Sequence, residues 1–176
     1  MSVIFLAGVH GVGKGFLGAP VASSMGIAHL TASQLIREEK GQATWGLDKK
    51  TSDLDDNQLA LIRAVAQRRL THPSILLDGH FVLRDAQGVL TPLATSVFKE
   101  LHLTGVILLT EEENIIASRL ALRDKGTSDV QAISELAPAE LTHAQTVCTE
   151  LELPLVKIHA PTLASLTDAV TRLLKF

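Results

Sequence analysis

The sequence predicts an α/β fold, a parallel β-sheet covered on both faces by helices. Three observations predict it. Five short apolar runs punctuate the chain: Ser2 to Gly8, Ile27 to Leu30, Ser74 to Asp78, Gly105 to Thr110 and Leu155 to His159. The stretches between them repeat apolar residues at helical period, and residues 8–15 form a glycine-rich turn between the first run and a helical stretch. A strand buried on both faces has no solvent side to mark with polar residues, so it reads as a continuous apolar run, and intervening helices supply the crossovers. A length of 176 residues with 46% hydrophobic and 20% charged content fits one domain, 1–176, with one continuous core.

The first run leads through the glycine-rich turn into a helix expected over Lys14 to Ser24. Between Asp53 and Leu70, residues Leu59, Ile62, Val65, Ala66 and Leu70 recur at the spacing of a helix packed on one face. After the third run, Thr91 followed by Pro92 predicts an N-cap with proline at the first helical position. Thr110 with Glu113, and Ser128 with Gln131, have capping-box spacing and predict two further helix starts. Pro138 lacks a backbone donor and lies inside the stretch from Ser128 to Leu151, which predicts a kink or two helices there. Leu163, Leu166, Val170, Leu173 and Leu174 predict the last helix. From Lys40 to Asp56 the pattern lapses into polar residues, with Gly41, Gly46, the sole tryptophan Trp45 and the acidic cluster Asp53, Asp55 and Asp56. That stretch is expected to be a flap or small subdomain.

Sixteen basic against 19 acidic residues give a net charge of -3, so no overall positive field draws the chain to nucleic acid or an anionic membrane. An anionic ligand has to be met locally. Cys148 is the only cysteine, which excludes an internal disulfide, and it is expected to pack as a small apolar residue. The N-terminal run has no basic leader and is short for a signal peptide, so a cytoplasmic location is expected. The histidines, His29, His72, His102, His143 and His159 among them, show no metal-ligand spacing with one another or with Cys148.

Residues Gly8, Val9, His10, Gly11, Val12, Gly13 and Lys14 contain a G-x-x-x-x-G-K core. Glycines at those positions let backbone N–H groups converge on phosphate oxygens, the following helix adds its positive end, and the lysine carries charge to the outer phosphates. Gly8, His10, Gly11, Val12, Gly13, Lys14, Gly15 and Phe16 are therefore the candidate nucleotide-binding residues, with ATP as the expected ligand. Gly15 stands where a serine or threonine hydroxyl normally meets magnesium. Lys14 is the first candidate for catalysis. Asp78 closes the run Ile75 to Leu77, so it is expected at the C-terminal edge of the sheet, where ligands of open parallel sheets bind. There it suits a magnesium ion held through water.

The loop resembles that of the adenylate kinases and related nucleoside monophosphate kinases, G-x-P-G-x-G-K-G-T, with His10 in place of the proline and Phe16 in place of the threonine. Gly26 to Arg37 is similar to that family's G-I-P-x-I-S-T-G-D-M-L-R, with Gln34 where the family has aspartate. The resemblance implies that Thr31 meets the acceptor nucleotide and that Arg37 binds its phosphate. Leu76 to His80 resembles the L-D-G and D-T-H motifs of the family, and Ser118 to Asp124 is similar to a thinned form of the archaeal-type arginine-rich lid. The same resemblance implies a three-layer P-loop kinase fold with five parallel strands in the order 2-3-1-4-5. It also implies an acceptor-binding segment near 31–67 and a short lid near 119–127.

Phosphoryl transfer needs two anionic substrates aligned and the developing charge neutralised. Arg119 and Arg123, four apart on one helix, are candidates for closing on the transferring group. Gln58, beside Asn57 at the start of a long helix, carries an amide suited to a base edge. His80 is a candidate substrate contact, with a hydrogen-bonded structural role as its competitor. The expected reaction moves the γ-phosphoryl group of ATP to a nucleoside monophosphate, AMP first. Two other readings fit the same residues. Phe16, Gln34 and the thinned lid suit a nucleotide-binding regulator with weak transfer and a protein partner, and the same fold serves kinases of nucleosides or other small molecules.

Overall fold

A computed structural model of the chain describes residues 1–41, 54–85, 87–124 and 130–174, the side chains of 54, 123 and 124 excepted. The heart of the expected flap, including Trp45, Gly46 and Asp53, lies outside the described residues, as do Ser128 and the lid residues 125–127.

Five strands form the parallel sheet: β1 (Ser2–Ala7), β2 (Ala28–Thr31), β3 (Ser74–Asp78), β6 (Gly105–Thr110) and β7 (Leu155–His159). Two others, β4 (Val82–Arg84) and β5 (Leu90–Pro92), pair antiparallel as a separate hairpin. The sheet order is β2-β3-β1-β6-β7, so its own strands run 2-3-1-4-5 with the hairpin interposed in the chain. Register places Thr31 beside Asp78 and Asp78 beside Leu6, which sets the C-terminal ends of β2 and β3 next to the end of β1.

The helices are α1 (Lys14–Met25), α2 (Ala32–Glu39), α3 (Leu54–Thr71), α4 (Thr95–Glu100), α5 (Glu113–Asp124), α6 (Val130–Glu150) and α7 (Leu163–Leu174). Because strand side chains alternate, β1 sends Val3, Phe5 and Ala7 to one face and Ile4 and Leu6 to the other. The sheet thus divides the core in two. On the first face Phe5, Leu77 and Val106 pack with Val65 of α3, Phe98 of α4 and Val147 of α6. On the second, Ile4, Leu76 and Ile107 pack with Val21 of α1 and Leu166 and Val170 of α7. Phe5, Phe81 and Phe98 form an aromatic knot, the Phe81 and Phe98 rings stacked at 4.6 Å. Burying each such side chain is worth roughly 1.5–3 kcal/mol. Cys148 is buried as a free thiol in the first core, and burial pushes it up to about 11, the behaviour of a packing residue.

Two helix features differ from the sequence expectation, and a third narrows it to one of its two alternatives. Thr91 and Pro92 do not open a helix: they belong to β5, where Pro92 pairs with Val82, and α4 begins three residues later after Ala94. Proline is tolerated there because a two-stranded hairpin has edges that need no donor. Thr110 does not cap α5 either. It ends β6, its hydroxyl donates to the Ile158 carbonyl of β7, and the carbonyl of Glu112 takes the first helical bond instead. Pro138 lies inside α6, which runs as one helix from Val130 to Glu150.

Candidate functional site

The segment between β1 and α1 is built around positive backbone angles. Gly8 has φ 138°, and a Cβ there would stand 2.5 Å from the Leu109 carbonyl oxygen of β6, so only glycine lets the turn lie against the strand. Gly11 has φ 81°, and a Cβ would lie 2.8 Å from Leu120 Cγ of α5. α1 follows directly, with Gly13 as its N-cap and no side chain capping it. Its first-turn N–H groups, at Lys14, Gly15 and Phe16, have no intrahelical acceptor and form an anion-binding end.

Lys14 is buried to 7% exposure and its ammonium donates to the carbonyls of Gly8 (2.6 Å) and Val9 (3.3 Å). Asp78 Oδ1 stands 3.9 Å away. Burial pushes the lysine below its ordinary range while the charges of Asp78 and Glu140 draw it back. Burial likewise raises Asp78, opposed by Lys14 and His29. Arg119 reaches the same loop from α5: one guanidinium nitrogen donates to the Val12 carbonyl at 3.2 Å and another to Glu111 at 3.2 Å. The ring of His10, in the loop, lies 4.3 Å from that of His80, which follows β3.

Residues far apart in sequence, Lys14, Asp78, His80, His10 and Arg119, thus meet at one end of the sheet. The acceptor candidates are placed differently. The Thr31 hydroxyl accepts from the Gln34 N–H as the N-cap of α2, Arg37 is exposed in the last turn of that helix, and Gln58 is half-buried early in α3. Arg123 lies on α5, but its side chain is outside the described residues. Phe16 is 84% exposed on α1.

Glu140 of α6 is the site residue that sequence reasoning missed. It is 1% exposed, its Oε2 accepts the Phe81 N–H at 2.8 Å and its Oε1 lies 2.9 Å from His80 Nδ1. Burial raises its carboxyl to about 7, against the backbone N–H of Phe81, the charge of Lys14, the N–H of Val82 and the charge of His143. The one sequence sign was a charged residue inside the apolar stretch Leu136 to Leu141.

Among the described residues no group of three or more His, Cys, Asp or Glu is placed to hold a metal ion. A single carboxylate is nevertheless what magnesium needs beside phosphates, since it keeps several waters of its own. Asp78 fits that role: a Cβ on Gly15 would stand 4.0 Å from its Oδ2, so the place where a loop hydroxyl would sit is open and adjoins the carboxylate.

A glycine-lined turn between a parallel strand and a helix, with a buried lysine and a sheet-edge aspartate, defines a P-loop nucleotide-binding fold. Within that class, residues 7–137 match the AAA domain family (AAA_17), and the chain belongs to it. The family match does not single out the adenylate kinases, which the loop motif resembles. No curated protein matches. Several solved structures share the fold. A gluconokinase from Sinorhizobium meliloti 1021 is 17% identical with a TM-score of 0.57, over 99% of this chain and 92% of that one. A shikimate kinase from Acinetobacter baumannii, solved with shikimate, is 16% identical with a TM-score of 0.64, over 99% and 93%. Another shikimate kinase, from Bacteroides thetaiotaomicron, is 12% identical with a TM-score of 0.62, over 99% of both chains.

Proposed function

We propose that the chain is an ATP-dependent phosphotransferase, working in the cytoplasm on a small acceptor. The carrying observation is the convergence of Lys14, Asp78 and Arg119 on one glycine-lined loop. The loop amides and Lys14 hold the β and γ phosphates, and Arg119, already on the Val12 carbonyl, supplies a second cation to the transferring group. Magnesium, when bound beside Asp78, neutralises charge on the same phosphate oxygens. An acceptor oxygen bonds to the γ-phosphorus, the bond to the β–γ bridging oxygen breaks, and ADP leaves with the electron pair. The acceptor enters beside Asp78 and Thr31, which are paired at the C-terminal ends of β3 and β2.

A nucleoside monophosphate, AMP first, is the acceptor that the run Thr31 to Arg37 favours. An alcohol or other small molecule is the second reading. The likeness of fold to a gluconokinase and a shikimate kinase supports it. The test is ADP release from MgATP with a panel of nucleoside monophosphates and with shikimate. Turnover with one acceptor at least about 100-fold above a Lys14→Ala control supports the enzyme, a loss typical of removing a group that stabilises transition-state charge. Turnover equal to that control for every acceptor refutes it.

A further inference from the structure

We propose that Glu140 is a positioning residue of this site, fixing from α6 the turn that carries Asp78 and His80 against the phosphate loop and acting through the His80 ring. The inference rests on the phosphotransfer reading. A carboxylate placed in a core is costly unless its oxygens are hydrogen-bonded. Glu140 is 1% exposed, and one turn converges on it: the Phe81 N–H donates to its Oε2 at 2.8 Å and His80 Nδ1 stands 2.9 Å from its Oε1. A carboxylate presents an acceptor oxygen to each of the two, whereas a glutamine offers one oxygen and turns an amide donor toward the other.

The turn it holds begins at the last residue of β3. Gly79 N–H donates to the Leu6 carbonyl at 3.1 Å, so the backbone between Asp78 and His80 is tied to β1, the strand that feeds the loop. On its other side the His80 ring lies 4.3 Å from the ring of His10. His80 is therefore clasped between α6 and the loop, and Phe81 beside it is anchored in the knot with Phe5 and Phe98. Among the described residues, the charged and titratable groups facing this clasp include Lys14 of α1, Asp78 of β3, His10 of the loop and His143 of α6. An apolar cluster replacing Glu140 together with its polar partners would pack at least as stably, since buried charges seldom add net stability. A glutamate here serves the geometry of the turn.

The test compares wild type, Glu140→Gln, His80→Ala and the double variant as full chains at pH 8, where the carboxylate is ionised. Rates of ADP release from MgATP, with water alone and with added AMP, are resolved into kcat and the KM for ATP. Glu140→Gln is expected to lower kcat about 100-fold, the cost of a misplacement near 1 Å, with KM for ATP within about threefold of wild type. In the His80→Ala background the same substitution is expected to change kcat by less than about threefold, because the two act as one unit. A Glu140→Gln enzyme with wild-type kcat, or effects that multiply independently, overturns the proposal. Should Glu140→Gln not fold by circular dichroism, His80→Ala decides, and an unchanged kcat overturns it. Those results with Lys14→Ala inactive sink only the role of Glu140, whereas wild type no better than Lys14→Ala sinks the phosphotransfer reading as well.

Discussion

Lys14 shows how the loop balances a buried charge. Its ammonium has left water for two loop carbonyls and a carboxylate 3.9 Å away, an arrangement that is tolerable only with those partners in place. Lys14→Ala is expected to lower ADP release at least about 100-fold, read at saturating MgATP. Gly11→Ala acts by shape instead. Its Cβ would meet Leu120 at 2.8 Å and Ile116 at 3.1 Å from a φ of 81°, so α5 must retreat or the loop must rearrange. A loss of about 1–3 kcal/mol in a denaturant melt is expected. Glu140 gives a pH dependence whose sign comes from linkage. Its folded-state value, about 7, lies above the ordinary 4.5, so the folded chain holds its proton more tightly than the unfolded one. That contribution is complete below pH about 4.5 and is lost as pH rises through about 7, a decline of up to roughly 3 kcal/mol. Asp78, raised by burial, adds to it with the same sign. Thermal melts of the unliganded chain should fall across this range, and Glu140→Gln should flatten most of the slope. Lys14, Asp78 and His80 were legible because motif and strand edge place them within a few residues of a known geometry. Glu140 was not, since its partners lie 59 and 60 residues away and nothing local marks a helix position that faces a turn.

At the scale of elements, α2 is attached to the core through Leu35, the one buried residue in the helix, with Ala32 and Ile36 packed partly buried beside it. Pairs between exposed groups add little: Arg68 with Glu38 at 2.7 Å is solvated and screened. Leu35→Ala is expected to cost about 2–4 kcal/mol of stability and to raise the KM of the acceptor while sparing that of ATP, measured by melts and by two-substrate kinetics. The outcome separates the α2 side from the nucleotide side of the site. Elements whose signal is their own pattern were read correctly. β3, β6 and β7 have the boundaries that their apolar runs predict, and α7 tracks its leucines. Boundaries that depend on tertiary choice were missed. Thr91 and Pro92 suit a helix start as well as an edge strand, and the choice fell to the hairpin because β4 lies opposite, with the Leu93 N–H on the Phe81 carbonyl at 2.9 Å. Thr110 had capping-box spacing but ends a strand whose neighbour offered its hydroxyl an acceptor.

For the molecule as a whole, buried runs separated by helices predicted a parallel sheet, while its strand order was legible only through the resemblance of the loop and the later motifs to the nucleoside monophosphate kinases. The cost of that architecture is a site at one sheet edge of a chain with net charge -3, which repels the ligand it is proposed to hold. Affinity must then come from the first-turn amides of α1, Lys14 and Arg119, all of which act at short range. Binding should show this in two ways. Because MgATP engages only the folded loop, a concentration of about 100 times its Kd should stabilise the fold by about 2.7 kcal/mol and raise Tm by roughly 5–10 °C. Because the attraction is local, Lys14→Ala should lose most of that shift while the same concentration of magnesium chloride alone produces none of it in either protein. A calorimetric titration with matched melts measures both. A wild-type chain whose Tm does not move at millimolar MgATP would remove nucleotide binding, and with it every step argued from the loop.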